Sequence, residues 1–221
     1  MDSKLFANII LLVVFVYASV GNLMAWGFNK MKWIPLTKPL LMPVLAIYYA
    51  LNCKEVEYLV LFALLFAFLG DVFLIWPQKK VCFILGLVFF LVMQVLYIIF
   101  IISQQLDQWS FSWPVAVAGI VLLSIGILIY TNLFRYLNEM KIPVLVYMLI
   151  VLTVGFLCFA NMYGDFTRYN LIEFVGALFF VASDTLLAFD SFKKPIRLGN
   201  LWIMATYINA QLLLLVGFMN I

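Results

Sequence analysis

Long, continuous apolar segments take up most of this sequence. We identify eight of them, at roughly 5–26, 36–52, 56–76, 81–103, 113–131, 142–160, 171–190 and 200–219. A helix of about 20 apolar residues crosses the hydrocarbon core of a bilayer, and only the second segment is clearly short of that length. Lipid offers the backbone no hydrogen-bond partners, so each segment should be helical. The sequence therefore predicts an all-α membrane protein with eight transmembrane helices.

The composition leaves no room for a separate soluble domain. Of the 221 residues, 67% are hydrophobic and 10% are charged, whereas a soluble domain of this size carries about 25% charged residues. The connections between the apolar segments are short. We therefore expect residues 1–221 to form a single polytopic membrane domain.

Basic residues are distributed unevenly between the two ends of the segments. One set of ends carries Lys30, Lys32, Lys38, Lys79, Lys80, Arg135, Lys141, Lys193, Lys194 and Arg197. The other set carries Lys4, Lys54 and Arg168. Cytoplasmic loops are enriched in Lys and Arg, so the first set should be cytoplasmic and both termini outside. The net charge of +3 then reflects topology, and no nucleic-acid partner is expected.

The three cysteines are most simply small apolar residues of the segments. In the predicted topology Cys53 and Cys158 share the outer face. A disulfide between these two stays open at this stage.

Two parts of the sequence echo each other. "FAFLGDVFLIW" (66–76) is similar to "FFVASDTLLAF" (179–189), and "MPVLAIY" (42–48) to "IPVLVY" (142–147). Gln94 in the fourth segment is matched by Gln211 in the eighth. These matches pair segments 2, 3 and 4 with 6, 7 and 8. Because four spans is an even number, a duplication with halves 1–105 and 106–221 would be a parallel repeat.

Two carboxylates lie inside the echoing apolar segments, Asp71 in the third and Asp184 in the seventh. Both segments run from outside to inside, and at 1.5 Å per residue both aspartates fall within about 15 Å of the cytoplasmic boundary. A charge at the bilayer centre costs about 2.5–3.5 kcal/mol, so such groups face a partner or a cavity. One reading is that each aspartate anchors helix packing or pairs with a lysine. The other is that the two face one another as an acid/base pair.

Several kinds of chemistry are excluded by what the sequence lacks. It contains no histidine, which removes Ser-His and Cys-His nucleophile pairs and HExxH zinc sites, and it has no G-x-S-x-G, P-loop or C-x-x-C motif. The other acids lie in loops or near segment ends, where solvation explains most of them. These are Asp2, Glu55, Glu57, Asp107, Glu139, Asp165, Glu173 and Asp190. A protonated aspartate beside an ionised one remains as an acid/base pair without histidine.

Further polar side chains lie in or beside the predicted cytoplasmic halves of the segments. The candidates for substrate binding are Asn22, Lys38, Gln94, Tyr97, Ser183, Tyr207 and Gln211. Each can equally be a hydrogen bond that holds two helices together. Lys38 either binds a phosphate at the headgroup level, near a helix N-terminus, or pairs with an aspartate.

Five stretches, in order, resemble the YhhN-like lysoplasmalogenase family of multi-span membrane proteins. They are "TKPLLMP" (37–43), "LGDVFL" (69–74), "GLVFFLVMQVLY" (86–97), "GALFFVASDTLLAF" (176–189) and "TYINAQLLL" (206–214). One departure is Gln94, where the family often carries a histidine. Gln94 can replace that residue if its role is hydrogen bonding to substrate, but not if it carries protons.

The resemblance implies hydrolysis of the vinyl ether bond of lysoplasmalogens, with the functional carboxylates at Asp71 and Asp184. Vinyl ethers hydrolyse by protonation of carbon to an oxocarbenium ion, which water captures, and paired carboxylates can serve both steps. No metal or organic cofactor is needed. The partner would be a lysophospholipid within the bilayer of the cell membrane, with the active site towards the cytoplasm. The alternatives are a proton-coupled transporter of a small or lipid-like solute, and a non-catalytic membrane scaffold.

Overall fold

The computed structural model describes residues 3–105 and 112–219, and every regular element within these ranges is helical. The α-helices are α1 (Ser3–Gly27), α2 (Ile34–Thr37), α3 (Leu41–Asn52), α4 (Tyr58–Phe73), α5 (Lys80–Gln105), α6 (Trp113–Leu133), α7 (Lys141–Gly164), α8 (Arg168–Ala188) and α9 (Gly199–Phe218). Single 3₁₀ turns cover Met31–Trp33, Lys38–Leu40 and Asn138–Met140. A π-helical turn, Phe189–Lys193, continues α8. The prediction of an all-α protein is confirmed for these residues.

Seven helical segments of the described chain are long and apolar enough to cross a bilayer. They are Ser3–Gly27, Met31–Asn52, Lys80–Gln104, Trp113–Leu133, Asn138–Gly164, Arg168–Lys193 and Gly199–Phe218. The chain is therefore a multi-pass membrane protein. The predicted third span corresponds to α4, which has 16 residues. The short helix is thus the third, whereas the sequence pointed to the second.

Three prolines explain why the second segment is not one continuous α-helix. Pro35, Pro39 and Pro43 are spaced four residues apart, and each lacks the N–H that would bond to the carbonyl four residues earlier. The chain therefore runs through α2, a 3₁₀ turn and α3 in succession. This composite helix starts at Met31, five residues before the predicted start. Lys38 lies in the break between its two α-helical parts.

The chain forms two compact units, Met1–Tyr97 and Ile98–Ile221. In the first, α1 packs against α2 and α3, and α3 packs against α4. Asn8 and Asn52 exchange amide hydrogen bonds of 2.7 and 2.8 Å between α1 and α3. Gly70 allows α4 and α5 to approach closely. A Cβ at this position would lie only 3.1 Å from the ring of Phe90.

In the second unit α6, α7, α8 and α9 pack in chain order, most extensively α8 against α9. Gly176 allows that close approach, because a Cβ there would lie 2.8 Å from the backbone nitrogen of Leu214. In lipid there is no hydrophobic driving force between helices, so they associate through van der Waals packing, and small residues allow the close approach that this packing needs. Cys158 is buried in this unit, and all three cysteines are free thiols, so the disulfide left open above is not formed.

Candidate active site

In the first unit, Asp71 forms an ion pair with Lys38. Asp71 is two residues before the end of α4 and is 1% exposed, while Lys38 is 5% exposed. The Lys38 Nζ lies 3.5 Å from Asp71 Oδ1. The sequence left Lys38 either to bind a phosphate or to pair with an aspartate, and in the structure it forms the ion pair with an aspartate. Its predicted role in binding substrate stays a prediction.

A short hydrogen-bond chain positions the residue next to Lys38. Asn22, which is fully buried in α1, donates to Thr37 Oγ1 at 3.1 Å. Thr37 Oγ1 in turn donates to the carbonyl oxygen of Trp33 at 2.9 Å. Asn22 thus joins α1 to the composite helix just before Lys38, a positioning contact within the first unit.

Gln94 and Tyr97 lie one turn apart on α5 and are almost completely buried. Neither amide atom of Gln94 has a hydrogen-bond partner among the residues that the structure describes. A buried, unpaired polar group costs about 1–3 kcal/mol, so it calls for an explanation. The prediction that Gln94 binds substrate is consistent with this unpaired amide, and no observation tests it.

In the second unit, Asp184 is held by a tyrosine. The Tyr147 hydroxyl of α7 donates to Asp184 Oδ2 at 2.9 Å. Within residues 112–219 no lysine or arginine forms an ion pair with Asp184, so the two aspartates have different partners. Both Tyr147 and Asp184 line a groove bounded by α6, α7 and α8, with a cavity volume of about 50 Å³. Its other walls are mostly apolar and include Leu133, Val144 and Met148.

The remaining predicted site residues of this unit lie between α8 and α9. Ser183 donates to the carbonyl oxygen of Ile203 at 3.1 Å. Tyr207 packs edge-to-face on Phe180 with ring centroids 5.9 Å apart. Gln211 is fully buried. The contacts of Ser183 and Tyr207 hold α9 against α8, and their predicted binding of substrate stays untested.

Glu173 is a carboxylate that the sequence placed among the solvated acids, and for it that interpretation is wrong. It is fully buried near the N-terminal end of α8, beside Cys158 and Asn161 of α7. It lies 11 residues before Asp184, about 16 Å along the helix axis. Its place near a segment end gave no indication of burial. Glu173 is buried because Gly217 of α9 has no side chain and lets α9 pack directly against it.

Tyr147 is the other residue that the sequence analysis missed. It is the last residue of "IPVLVY", a stretch that drew attention only through its similarity to 42–48.

Of the remaining acids, Asp190 Oδ1 accepts a hydrogen bond of 2.6 Å from the backbone N–H of Ile196 and so closes the turn before α9. Asp2 and Asp107 lie outside the described residues.

A comparison with protein families gives a match over most of the chain. Residues 33–218 match the sequence model of the YhhN family. The chain belongs to the YhhN family. This is the lysoplasmalogenase family, and the match confirms the resemblance drawn from the five stretches. Comparisons with curated proteins and with solved structures gave no significant match.

The YhhN match covers both carboxylate positions. Membership is consistent with a hydrolase of the membrane. The two aspartates offer complementary chemistry, since an ammonium group accompanies Asp71 and a neutral hydroxyl donor accompanies Asp184.

Proposed function

We propose that this YhhN-family chain is an integral-membrane lysoplasmalogenase. It hydrolyses the vinyl ether bond of a lysoplasmalogen, releasing a fatty aldehyde and glycerophosphoethanolamine or glycerophosphocholine. The observation that carries the proposal is Asp184, an intramembrane carboxyl in an apolar groove of a chain whose family is that of the lysoplasmalogenases. An acid inside the membrane is a candidate functional residue, because its insertion is unfavourable.

Asp184 has the role of the acid. Its only partner within residues 112–219 is the hydroxyl of Tyr147, which donates to Oδ2 and leaves Oδ1 to carry a proton. The proton passes to the vinyl carbon that is not bonded to oxygen, and the carbon–carbon double bond supplies the electron pair. The product is an oxocarbenium ion, while Asp184 becomes a carboxylate.

Asp71 has the role of the ionised carboxylate. The ammonium of Lys38 at 3.5 Å balances its charge and makes the ionised form favourable in a buried position. The carboxylate stabilises the cation and takes a proton from the attacking water, so that a hemiacetal forms. In its collapse the hemiacetal hydroxyl gives its proton to Asp184, the carbon–oxygen bond to glycerol breaks, and the glycerol oxygen takes the proton from Asp71. Both carboxyl groups then return to their starting states, and one water is consumed in total.

The same proposal includes eight crossings, with both termini outside and the site in the cytoplasmic half of the cell membrane. For this, α4 must cross the bilayer. Its 16 residues extend about 24 Å, and turns up to Trp76 lengthen it. Labels attached at Lys54 and at Lys80 should then react from opposite sides of the membrane, and reaction from the same side would remove α4 from the count.

Two parallel four-helix repeats are part of this topology. In each unit a 3₁₀ turn leads into a helix with a proline in its first turn, α3 or α7. The segment containing that helix then supplies the partner of the aspartate on the next helix, Lys38 for Asp71 and Tyr147 for Asp184.

The test is turnover by purified protein in detergent. Wild type should release aldehyde from a lysoplasmalogen. Asp71→Asn and Asp184→Asn should each lower kcat at least about 100-fold while the protein still folds. Asp165→Asn, at the exposed end of α7, is the matched control and should be unaffected. If both carboxylates act on one substrate, the double variant should be little worse than the less active single one.

A proton-coupled carrier is the second candidate, and Glu173 favours it. A second buried carboxyl on α8, about 16 Å from Asp184 along the axis, suits a proton path across the membrane. A carrier needs two compartments, so aldehyde release in detergent separates the two functions.

A further inference from the structure

A second cavity adjoins the groove that contains Asp184. It lies between α6 and α7, is lined by Gly119, Leu123 and Phe156 among others, and has a volume of about 240 Å³. Leu152 lines both cavities and packs against Gly126 of α6. The two cavities border α6 from Leu133 to Ile129 and from Leu123 to Gly119, with the contact between Leu152 and Gly126 in the interval, and together they form the α6–α7 groove.

This α6–α7 groove has the length of a hydrocarbon chain that reaches past the middle of a bilayer. Leu133 lies 14 residues after Gly119 on α6, which corresponds to about 21 Å along the axis, against about 15 Å for half of a 30 Å hydrocarbon core. The lining of both cavities is apolar, apart from Tyr130, Thr153 and the groups around Asp184.

Two lysines stand at the Asp184 end of the groove, each against aromatic rings. Lys141 Nζ lies 4.3 Å from the ring centroid of Phe134. Lys193 Nζ lies 5.3 Å from the ring of Phe189 and 5.9 Å from that of Tyr136. Such contacts hold an ammonium in place without neutralising its charge.

These rings continue directly from the walls of the groove. Phe134 follows Leu133, and Phe189 follows Ala188, both of which line it. Neither Lys141 nor Lys193 forms an ion pair with a carboxylate of residues 112–219. The groove thus has an apolar body, one carboxyl group near its end and, just beyond, two lysines without an ion pair to residues 112–219.

We propose that Lys141 and Lys193 bind the phosphate of a single-chain phospholipid whose hydrocarbon chain occupies the α6–α7 groove. The occupant follows from charge and shape, since one apolar slot ending in two cations complements one chain ending in an anionic phosphate. Lys141 is six residues before Tyr147, about 9 Å along α7. A glycerol backbone can bridge that interval and place the first bonds of the chain beside Asp184.

The inference rests on the proposed function, and it names how that substrate is held. It assigns the phosphate to the second unit, whereas the sequence suggested Lys38, whose ammonium is paired with Asp71. It also predicts that the phosphate contacts affect KM, while Asp184 affects kcat.

The binding test uses a lysophospholipid with a saturated alkyl ether chain, which has no vinyl ether to hydrolyse. Its binding to the purified full chain in detergent is measured by native mass spectrometry. Lys141→Met and Lys193→Met should each weaken binding about tenfold, as expected for a charge-assisted contact. Lys194→Met is the matched control, because it removes the same charge one residue away and has no ring contact in the described chain. Equal losses for Lys193→Met and Lys194→Met would overturn the proposal in favour of general surface charge.

The chain position is tested separately. Leu123 lines the far cavity and is 52% exposed, so Leu123→Trp should fill the cavity without disturbing the interior. Binding of a long-chain ether lysolipid should fall, while a short-chain one should bind as it does to wild type. An alkylglycerol without phosphate should be insensitive to the lysine variants. Equal loss of long and short chains with Leu123→Trp would place the chain elsewhere.

The outcomes separate this inference from the proposed function. Lysine-dependent binding of the ether lysolipid without any aldehyde release from a lysoplasmalogen would leave the binding site standing and remove the hydrolase. Aldehyde release together with binding that does not depend on the two lysines would support the hydrolase and remove the proposed phosphate site. Equal lysine-dependent binding of a two-chain phospholipid would overturn the single-chain specificity.

Discussion

Removing Lys38 should destabilise the protein strongly, whereas removing the whole ion pair should not. Lys38→Met takes away the ammonium that lies 3.5 Å from Asp71 Oδ1 and leaves the apolar stem of the side chain. Asp71→Asn removes the other charge with little change in shape. The double variant then replaces two buried charges by neutral groups.

The magnitude follows from the separation of the charges. At an effective dielectric constant of about 20, two unit charges 3.5 Å apart attract each other by about 5 kcal/mol. Their desolvation opposes this gain, so the pair as a whole adds little to the free energy of unfolding. Loss of one partner leaves the other charge buried, which costs about 3–5 kcal/mol. For a chain of this length that corresponds to a fall in Tm of about 6–20 °C.

The assay is thermal unfolding in detergent, combined into a double-mutant cycle. Lys38→Met should lose about 3–5 kcal/mol, and the double variant should recover most of that loss. Lys32→Met is the control, because Lys32 is exposed on the same composite helix and should change stability by no more than about 0.5 kcal/mol. Aldehyde release on the same samples reports the functional role, where a fall in kcat at constant KM indicates that Lys38 acts through Asp71.

Two results would refute this reasoning. If Lys38→Met is no more destabilising than Lys32→Met, the buried ion pair does not exist in the membrane protein. If the double variant loses the sum of both single losses, the two side chains are not energetically coupled. A rise in KM alone would instead return Lys38 to the phosphate-binding role expected from the sequence.

Three further predictions concern the second unit. Under the proposed function, Tyr147→Phe should lower kcat about 10–100-fold by removing the hydrogen bond to the carboxyl group of Asp184, and unchanged kcat, as expected for the exposed control Tyr163→Phe, would assign the hydroxyl to packing. Gly217→Ala should destabilise by about 1–3 kcal/mol, because the new Cβ would lie 2.6 Å from Cβ of Glu173. Gly155→Ala, whose Cβ would meet its nearest neighbour at 3.8 Å, should be tolerated, and equal Tm values for the two would contradict the close packing of α8 and α9. Glu173→Gln should leave aldehyde release intact and raise Tm, while loss of turnover would bring this buried carboxyl into the reaction.

The membrane class, the positions of most helices and the two intramembrane aspartates were predictable from sequence alone. These features are local, since an apolar run of about 20 residues has few stable alternatives in lipid to a helix. An aspartate within such a run is visible without any knowledge of its neighbours. Family membership was visible for the same reason, because "LGDVFL" and "FFVASDTLLAF" are short contiguous stretches.

What the tertiary structure decided is which side chains meet. Lys38 could not be assigned between a phosphate and an aspartate until the proline-broken helix placed it beside Asp71. Tyr147 became a site residue only through its contact with Asp184, which is 37 residues away along the chain. Glu173 lies near a segment end, where sequence predicts solvation, yet a glycine on α9 lets the helices close over it. Partners of this kind depend on how closely two helices approach, and that distance is set by small residues on the facing helix, which the sequence around the polar residue does not contain.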